Sequence, residues 1–538
     1  MAKTPLFRAV SRLIRAAHSA NKNDFSRNQI ESLVGAKREN LINRREFIAG
    51  AAALGIVGGL AKRASAAPPT GNLVIVGAGI AGLTTAYRLH QSGVASEIYE
   101  ASSRVGGRMW TKSQFNADGM YVDLGAELVD SDNLDLIDLC KELSVPLGTF
   151  ADEEAGLTSE IYYAGGRIRT EAEIIAAFQP LAALLAVDMA KISPDGVLTI
   201  PNYNNTISAD AIALDHLSLH DYLYSKQNQI DPMLLDIINN AYVGEYGRET
   251  EEQSALNLLV LASDDTSDGM NLFGSSDEVM RILGGSGTLP QVLADSLKSE
   301  VPIYTDSRLI GIRDKGTYFT LVFSTPAGII EKNATQVVIT IPFSVLREVE
   351  GIFSLGLTPA KTQSIQQLGY GTNSKLMMGF TQRFWHTASA TVPASRGEIF
   401  SDLRRTQEFW DTSRLQKGSS GILTSFTGGI SGATAHPGDL SGTLSELDRI
   451  YSGTQATQQF DGNELTKSWI LSPFQRGSYA CPMPGQYTSF LGSEGEPELG
   501  GRLLFAGEHC SLDFQGFMNG AVETGNAVAK MITSQRLG

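Results

Sequence analysis

Cysteine is scarce in this chain of 538 residues: Cys140, Cys481 and Cys510 are the only three, and none lies in a close pair. That excludes a disulfide framework, a zinc-ligand spacing and a haem-attachment motif. No stretch reads as a membrane span, since the apolar run Ala49 to Ala61 is too short and too weakly hydrophobic to cross a bilayer. No internal repeat is evident. The acidic run Asp264-Asp265-Thr-Ser-Asp268 lacks the spacing of an EF-hand and reads as a solvated loop, so no metal site is expected. Positive charge is also in deficit: 43 Lys and Arg stand against 58 Asp and Glu, a net charge of −15. An acidic surface disfavours nucleic acid and anionic lipid and mildly favours the approach of small cations.

What is present is 42% hydrophobic residues, 19% charged residues and 55 glycines, the composition of a soluble globular protein rich in turns. The length exceeds what one hydrophobic core ordinarily organises, so two domains are expected.

Residues 1–66 differ from the rest, with twelve Lys and Arg against four acids. Without them the chain carries 31 basic and 54 acidic residues, a net −23. Arg44-Arg45-Glu46-Phe47 precedes the Ala49–Ala61 run, and Ala64-Ser65-Ala66 has the form of a processing site. The segment resembles a twin-arginine export signal, which would make the mature protein periplasmic or secreted and the export machinery a partner. The alternative is a basic N-terminal helix that stays on the protein.

The strongest local signal begins at Asn72. A short apolar strand runs into Gly77-Ala-Gly79-Ile-Ala-Gly82, and a helix follows over Ile80 to Gln91. Gly77 permits the tight turn, Gly79 lets the backbone approach a pyrophosphate, and Gly82 lets the helix pack against the sheet. The helix N-terminus offers free N–H groups to the phosphates. A second strand, Ala95 to Glu100, ends in the acid expected to hold a pair of ribose hydroxyls, which disfavours a 2′-phosphorylated nucleotide. Arg104-Val-Gly-Gly107-Arg108 comes next, and its two arginines are candidates for phosphate pairing or for surface salt bridges. Asp123-Leu-Gly125-Ala126-Glu127 follows.

The run Glu100 to Arg108, joined to this glycine fingerprint, resembles the flavin-dependent amine oxidases, the family of monoamine, polyamine and L-amino acid oxidases. The resemblance extends in outline from Asn72 to Met531. It implies an α/β protein in which a Rossmann-like FAD-binding domain with the GxGxxG fingerprint is interleaved with an α+β substrate-binding domain. The expected division after the signal is 70–131, 276–343 and 466–538 for FAD, with 132–275 and 344–465 for substrate. Within 132–269 the pattern suggests amphipathic helices separated by polar loops, one over Leu134 to Leu143 and another over Ile174 to Met189, which Pro180 should kink or divide. Leu309, on a strand from Ser307 to Gly311, should touch the adenosine. The strand Ala334 to Thr340, closed by Pro342, reads as a crossing segment rather than a central strand.

By the same resemblance Lys375 matches the lysine that reaches the flavin through a water and serves the reaction with oxygen. From the residues alone, a lysine in an apolar strand is either functional or snorkelling outward. Tyr479 matches one wall of the aromatic cage, with Trp385, Phe409 or Trp410 as candidates for the other. Gly507-Glu508 and Phe517-Met518, with Ala521, match the closing FAD motif, in which the acid meets the ribityl chain and the helix start meets the pyrimidine edge. Gly107, Gly125 and Ala126 complete the expected cofactor contacts.

Two departures narrow the expectation. Ser478 stands where covalently flavinylated relatives have cysteine, so FAD should be held non-covalently. Gly125 is followed by Ala126-Glu127 rather than by the arginine that clamps a substrate carboxylate in many L-amino acid oxidases. Glu127 is then a candidate for a cationic head group, and Arg404, Arg405 and Arg414 are candidates for a replacement clamp.

The implied reaction is oxidative deamination of a primary amine or L-amino acid with O2, giving an imine, then a carbonyl compound, ammonia and H2O2. An L-amino acid oxidase for basic or large residues is the alternative, and a flavin dehydrogenase, a monooxygenase or a non-catalytic flavin-binding protein remains open. A homodimer is left open too.

Overall fold

The computed structural model describes residues 71–537 except 151–155, 193–201, 205–206, 262–277, 404, 436–438 and 454–455. The basic segment 1–66, the acidic run at 264–268 and Arg404 therefore lie outside the described residues.

Leu73–Val76, the strand before the glycine turn, is buried along its whole length because both of its faces are covered. Leu73 and Ile75 meet the helices Ile80–Gln91, Thr288–Leu297 and Met518–Leu537. Val74 and Val76 face the other way, against Leu309, Phe319, Phe323 and Phe343. A strand covered on both faces has no polar side to show, which is why it reads as an unbroken apolar run. It lies at the centre of a five-stranded parallel sheet, between Glu97–Tyr99 and Gln336–Ile339, with Ile303–Tyr304 and Leu503–Phe505 at the edges.

Gln336–Ile339 is thus an interior strand, not the crossing segment expected from Pro342. The proline lies beyond the last paired residue and instead caps the short helix Phe343–Leu346, so it deprives no ladder of a donor.

The second body is a seven-stranded sheet in the order Phe460–Ser468, Ser374–Phe380, Gly421–Thr427, Glu408–Asp411, Ser395–Ser401, Thr158–Ala164 and Arg167–Arg169. Helices Glu171–Ile192 and Pro232–Tyr246 share a core with it through Tyr162 and Phe400. One expectation for this stretch fails, and another is narrowed. Thr158–Ala164 and Arg167–Arg169 form a hairpin where only helices and loops were expected, turned by Gly165 and Gly166, both at positive φ. A Gly-Gly pair between apolar runs is a hairpin signal that sequence reading passed over. Pro180 does not divide its helix, which runs unbroken over 22 residues with Phe178 and Leu181 buried on either side of it. That packing holds the helix together where the proline removes one backbone bond. Among the described residues this helix is the one long and apolar enough to cross a membrane, and its Ile174, Phe178, Leu181 and Leu185 are buried inside the protein.

Candidate active site: a cleft shared by the two sheets

The parallel strands deliver their C-terminal ends to one cleft, whose volume is about 1750 Å³ including its open mouth. Gly77, Glu100, Thr340 and Gly507 each follow a strand end and line it, as expected where ligands bind parallel sheets. Gly77 has φ of 108°, a turn conformation that suits glycine. A Cβ at Gly79 would meet nothing within 4 Å, so the backbone there faces open space at the start of a helix. A Cβ at Gly82 would lie 2.1 Å from the Gly77 carbonyl oxygen, so Gly82 serves helix-to-strand packing and does not reach the cleft.

Glu100 accepts hydrogen bonds from the backbone N–H groups of Ala78 at 2.7 Å and Ser102 at 2.8 Å. Burial raises its pKa and these donors act in the opposite direction. Each carboxylate oxygen keeps a further lone pair for a hydroxyl. Arg108 donates to the Ser478 carbonyl oxygen at 2.7 Å and pairs with Glu508 at 2.8 Å. Glu508 in turn accepts from the N–H groups of Ala480 and Gly516. Arg104 is not among the residues that line the cleft. Its guanidinium donates to the carbonyl oxygens of Val105 and Gly107 and stacks 4.1 Å from the Trp110 ring, so it braces the loop. Gly107, Gly125, Ala126, Leu309, Phe517, Met518 and Ala521 line the cleft.

At the far end the wall passes to the seven-stranded sheet, with Lys375, Trp410 and Phe426, joined by Tyr479 from the segment just before Ala480–Cys481. Tyr479 donates its hydroxyl to the Gly244 carbonyl oxygen at 3.0 Å, and burial, with Glu245 and Glu408 nearby, raises its pKa so that the ring stays neutral. Of the three candidates for the opposite wall only Trp410 reaches the cleft. Strand alternation decides this. Phe409, one residue away, points into the core beside Trp385, whose indole N–H donates to Asp411.

Lys375 Nζ pairs with Glu127 Oε2 at 2.9 Å and donates to the Asp123 carbonyl oxygen at 3.1 Å. Glu127 is 5% exposed. Burial pushes its pKa up, but Lys375, Arg281 and the Thr412 hydroxyl outweigh burial and hold it at about 2. Glu127 lines the cleft, and its two oxygens already serve Lys375 and Thr412, partners that sequence reading did not foresee. The two described candidate clamps, Arg405 and Arg414, lie elsewhere. Arg405 pairs with Glu446 on the surface, and Arg414 is buried against Glu398 and the Phe150 ring.

Arg281 was missed. It comes from the strand Met280–Ile282, is 1% exposed, and lies 3.3 Å from Asp123 and 3.6 Å from Glu127. A charged residue inside a short apolar strand was the available signal, the same one that singled out Lys375.

The donor set fits a dinucleotide: an open backbone at a helix N-terminus for phosphates, buried acids for hydroxyls, and an apolar and aromatic chamber beyond. Among the described residues neither cysteine nor histidine lines the cleft. Fold and cleft together define a dinucleotide-binding protein with a substrate chamber built by a second sheet.

The chain belongs to the flavin-containing amine oxidoreductases, whose family model matches residues 80–533. YobN of Bacillus subtilis (strain 168), provisionally named an L-amino-acid oxidase, is 25% identical over 477 residues, 85% of this chain and 94% of YobN. Cyclohexylamine oxidase from Brevibacterium oxydans IH-35A shares the fold with a TM-score of 0.72 at 19% identity, covering 87% of this chain and all of that one. Putrescine oxidase gives 0.69 at 20% identity, covering 86% and 99%. The protein is therefore an oxidoreductase with the amine-oxidase fold, an FAD-binding and a substrate-binding domain, and FAD as cofactor. It oxidises an amine or amino acid with O2.

Proposed function

We propose that the chain is an oxidase of a primary amine that carries an apolar or aromatic body and no carboxylate, releasing a carbonyl product, ammonia and H2O2. The observation that carries this reading is the charge pairing of the chamber. Lys375 is paired with Glu127, and Arg281 is shared between Asp123 and Glu127. Arg108 and Arg308, the arginines on the cleft wall, pair with Glu508 and Glu348. Among the described residues these two are the arginines that line the cleft, and Arg108, which reaches the Ser478 carbonyl beside Tyr479, is already paired with Glu508. A carboxylate placed there would lose its hydration without a matching ion pair.

FAD, held non-covalently by the walls described, supplies the two-electron acceptor that passes electrons to O2. Trp410, Phe426 and Tyr479 hold the substrate body and exclude water. Their desolvation favours the neutral amine, the form that can lose hydride, so the rate should rise with pH through the bound amine's titration. The reading of residues 1–66 as a twin-arginine signal goes with a periplasmic or secreted enzyme.

Peroxide formation by the FAD-loaded protein, compared between matched pairs such as phenethylamine with L-phenylalanine and putrescine with L-ornithine, tests the proposal. Turnover of the amines alone supports it. Turnover of the amino acids alone sinks it and leaves an L-amino acid oxidase for basic or large residues, the reading favoured by the name of YobN.

A further inference from the structure

We propose that Arg281 is a positioning residue, which with Asp123 and Glu127 forms a buried lattice of two acids and two cations that fixes Lys375 on the chamber wall with one N–H left to the cavity. Lysine has three donors. Two are taken, by the Asp123 carbonyl oxygen and Glu127 Oε2, and among the described residues no third acceptor is found. Nζ lies 4.9 Å from the centre of the Trp410 ring, so the ammonium borders the aromatic chamber.

Arg281 acts through Glu127. The carboxylate is oriented at Oε1 by the Thr412 hydroxyl at 3.0 Å and by Arg281 at 3.6 Å, which turns Oε2 toward Lys375. Arg281 itself donates to the Thr412 carbonyl oxygen at 2.7 Å and lies over the Tyr121 ring. Asp123 accepts from Arg281, the Thr111 hydroxyl, and the N–H and hydroxyl of Ser286; burial raises its pKa, and the Arg281 charge acts in the opposite direction. All four members are 5% exposed or less. Away from water such charges act on one another and on the chamber with little screening.

The lattice therefore sets the electric field at the chamber end through a near balance of charge, and removing a member from either side should move the cofactor's reduction potential in opposite directions. The test is the midpoint potential of the substrate-free, FAD-loaded protein, measured by equilibration with a reference dye. Arg281→Gln should lower the potential, Glu127→Gln should raise it, and Arg281→Lys, which keeps the charge, should restore a value close to that of the unaltered protein. Equal potentials in all four proteins, or shifts of the same sign in Arg281→Gln and Glu127→Gln, would overturn the proposal. If Arg281→Gln fails to retain FAD, Asp123→Asn takes its place and must raise the potential as Glu127→Gln does. No substrate is added, so the outcome is independent of whether the enzyme takes amines or amino acids.

Discussion

Lys375 and Glu127 meet at 2.9 Å across the seam of the molecule, the lysine on a strand of the seven-stranded sheet and the glutamate on the turn between two strands near the FAD cleft. Neither side chain exposes more than 5% of its surface, so each ion depends on the other for its solvation.

Lys375→Met should keep FAD bound and slow reoxidation by O2 by about a hundredfold, the scale seen when a placed charge is removed from a developing anion. Stopped-flow measurement of the two half-reactions checks this. A defect confined to reduction by substrate would contradict it.

Gly79→Ala and Gly82→Ala should separate binding from folding. The added methyl at Gly79 meets nothing within 4 Å, so the apoprotein should keep its melting temperature while FAD affinity falls. At Gly82 the methyl would lie 2.1 Å from a backbone oxygen, so the protein itself should be destabilised. Thermal unfolding of both apoproteins, alongside FAD titrations, distinguishes the two effects.

Glu508→Gln should weaken FAD retention by about tenfold or more. It removes the charge that Arg108 pairs with and disturbs the acceptor shared by Ala480 and Gly516, and charged hydrogen bonds contribute about 1.5–3 kcal/mol each. Equilibrium dialysis of FAD against both proteins gives the ratio.

His509 should make the protein acid-sensitive. The ring is 1% exposed, neither nitrogen has a hydrogen-bond partner among the described residues, and burial lowers its pKa from 6.5 to about 4. Below pH 6.5 the unfolded chain binds a proton that the folded chain refuses. The stabilisation is therefore complete above pH 6.5 and is lost as pH falls toward 4, by about 3 kcal/mol at most. Urea midpoints between pH 4 and 7 should show this slope in the unaltered protein and a shallower one in His509→Asn.

Trp410→Ala should raise KM for aromatic amines about tenfold, because it removes one wall of the chamber, while leaving FAD content unchanged. An equal loss with short aliphatic amines would argue that the indole serves packing alone.

The cleft at the strand ends was legible because its parts are local. Gly77, Gly79 and Gly82 answer to backbone requirements within one turn, and Glu100 follows the next strand by a short connection. The same holds for Gly507, Glu508 and the helix start at Met518. Arg104 shows the limit of such reading, since nothing in its spacing distinguishes a guanidinium aimed at phosphates from one folded back onto its own loop and Trp110. The hairpin at Gly165-Gly166 was legible but was passed over.

The sequence by itself determined the glycine turn and the acid that follows the second strand, because Ala78 and Glu100, which meet at 2.7 Å, lie 22 residues apart. Only the tertiary structure decided what Glu127 does. Its partners come from three distant segments, at Arg281, Lys375 and Thr412, and which charges meet in a buried seam depends on how two sheets pack, not on the spacing of residues along either.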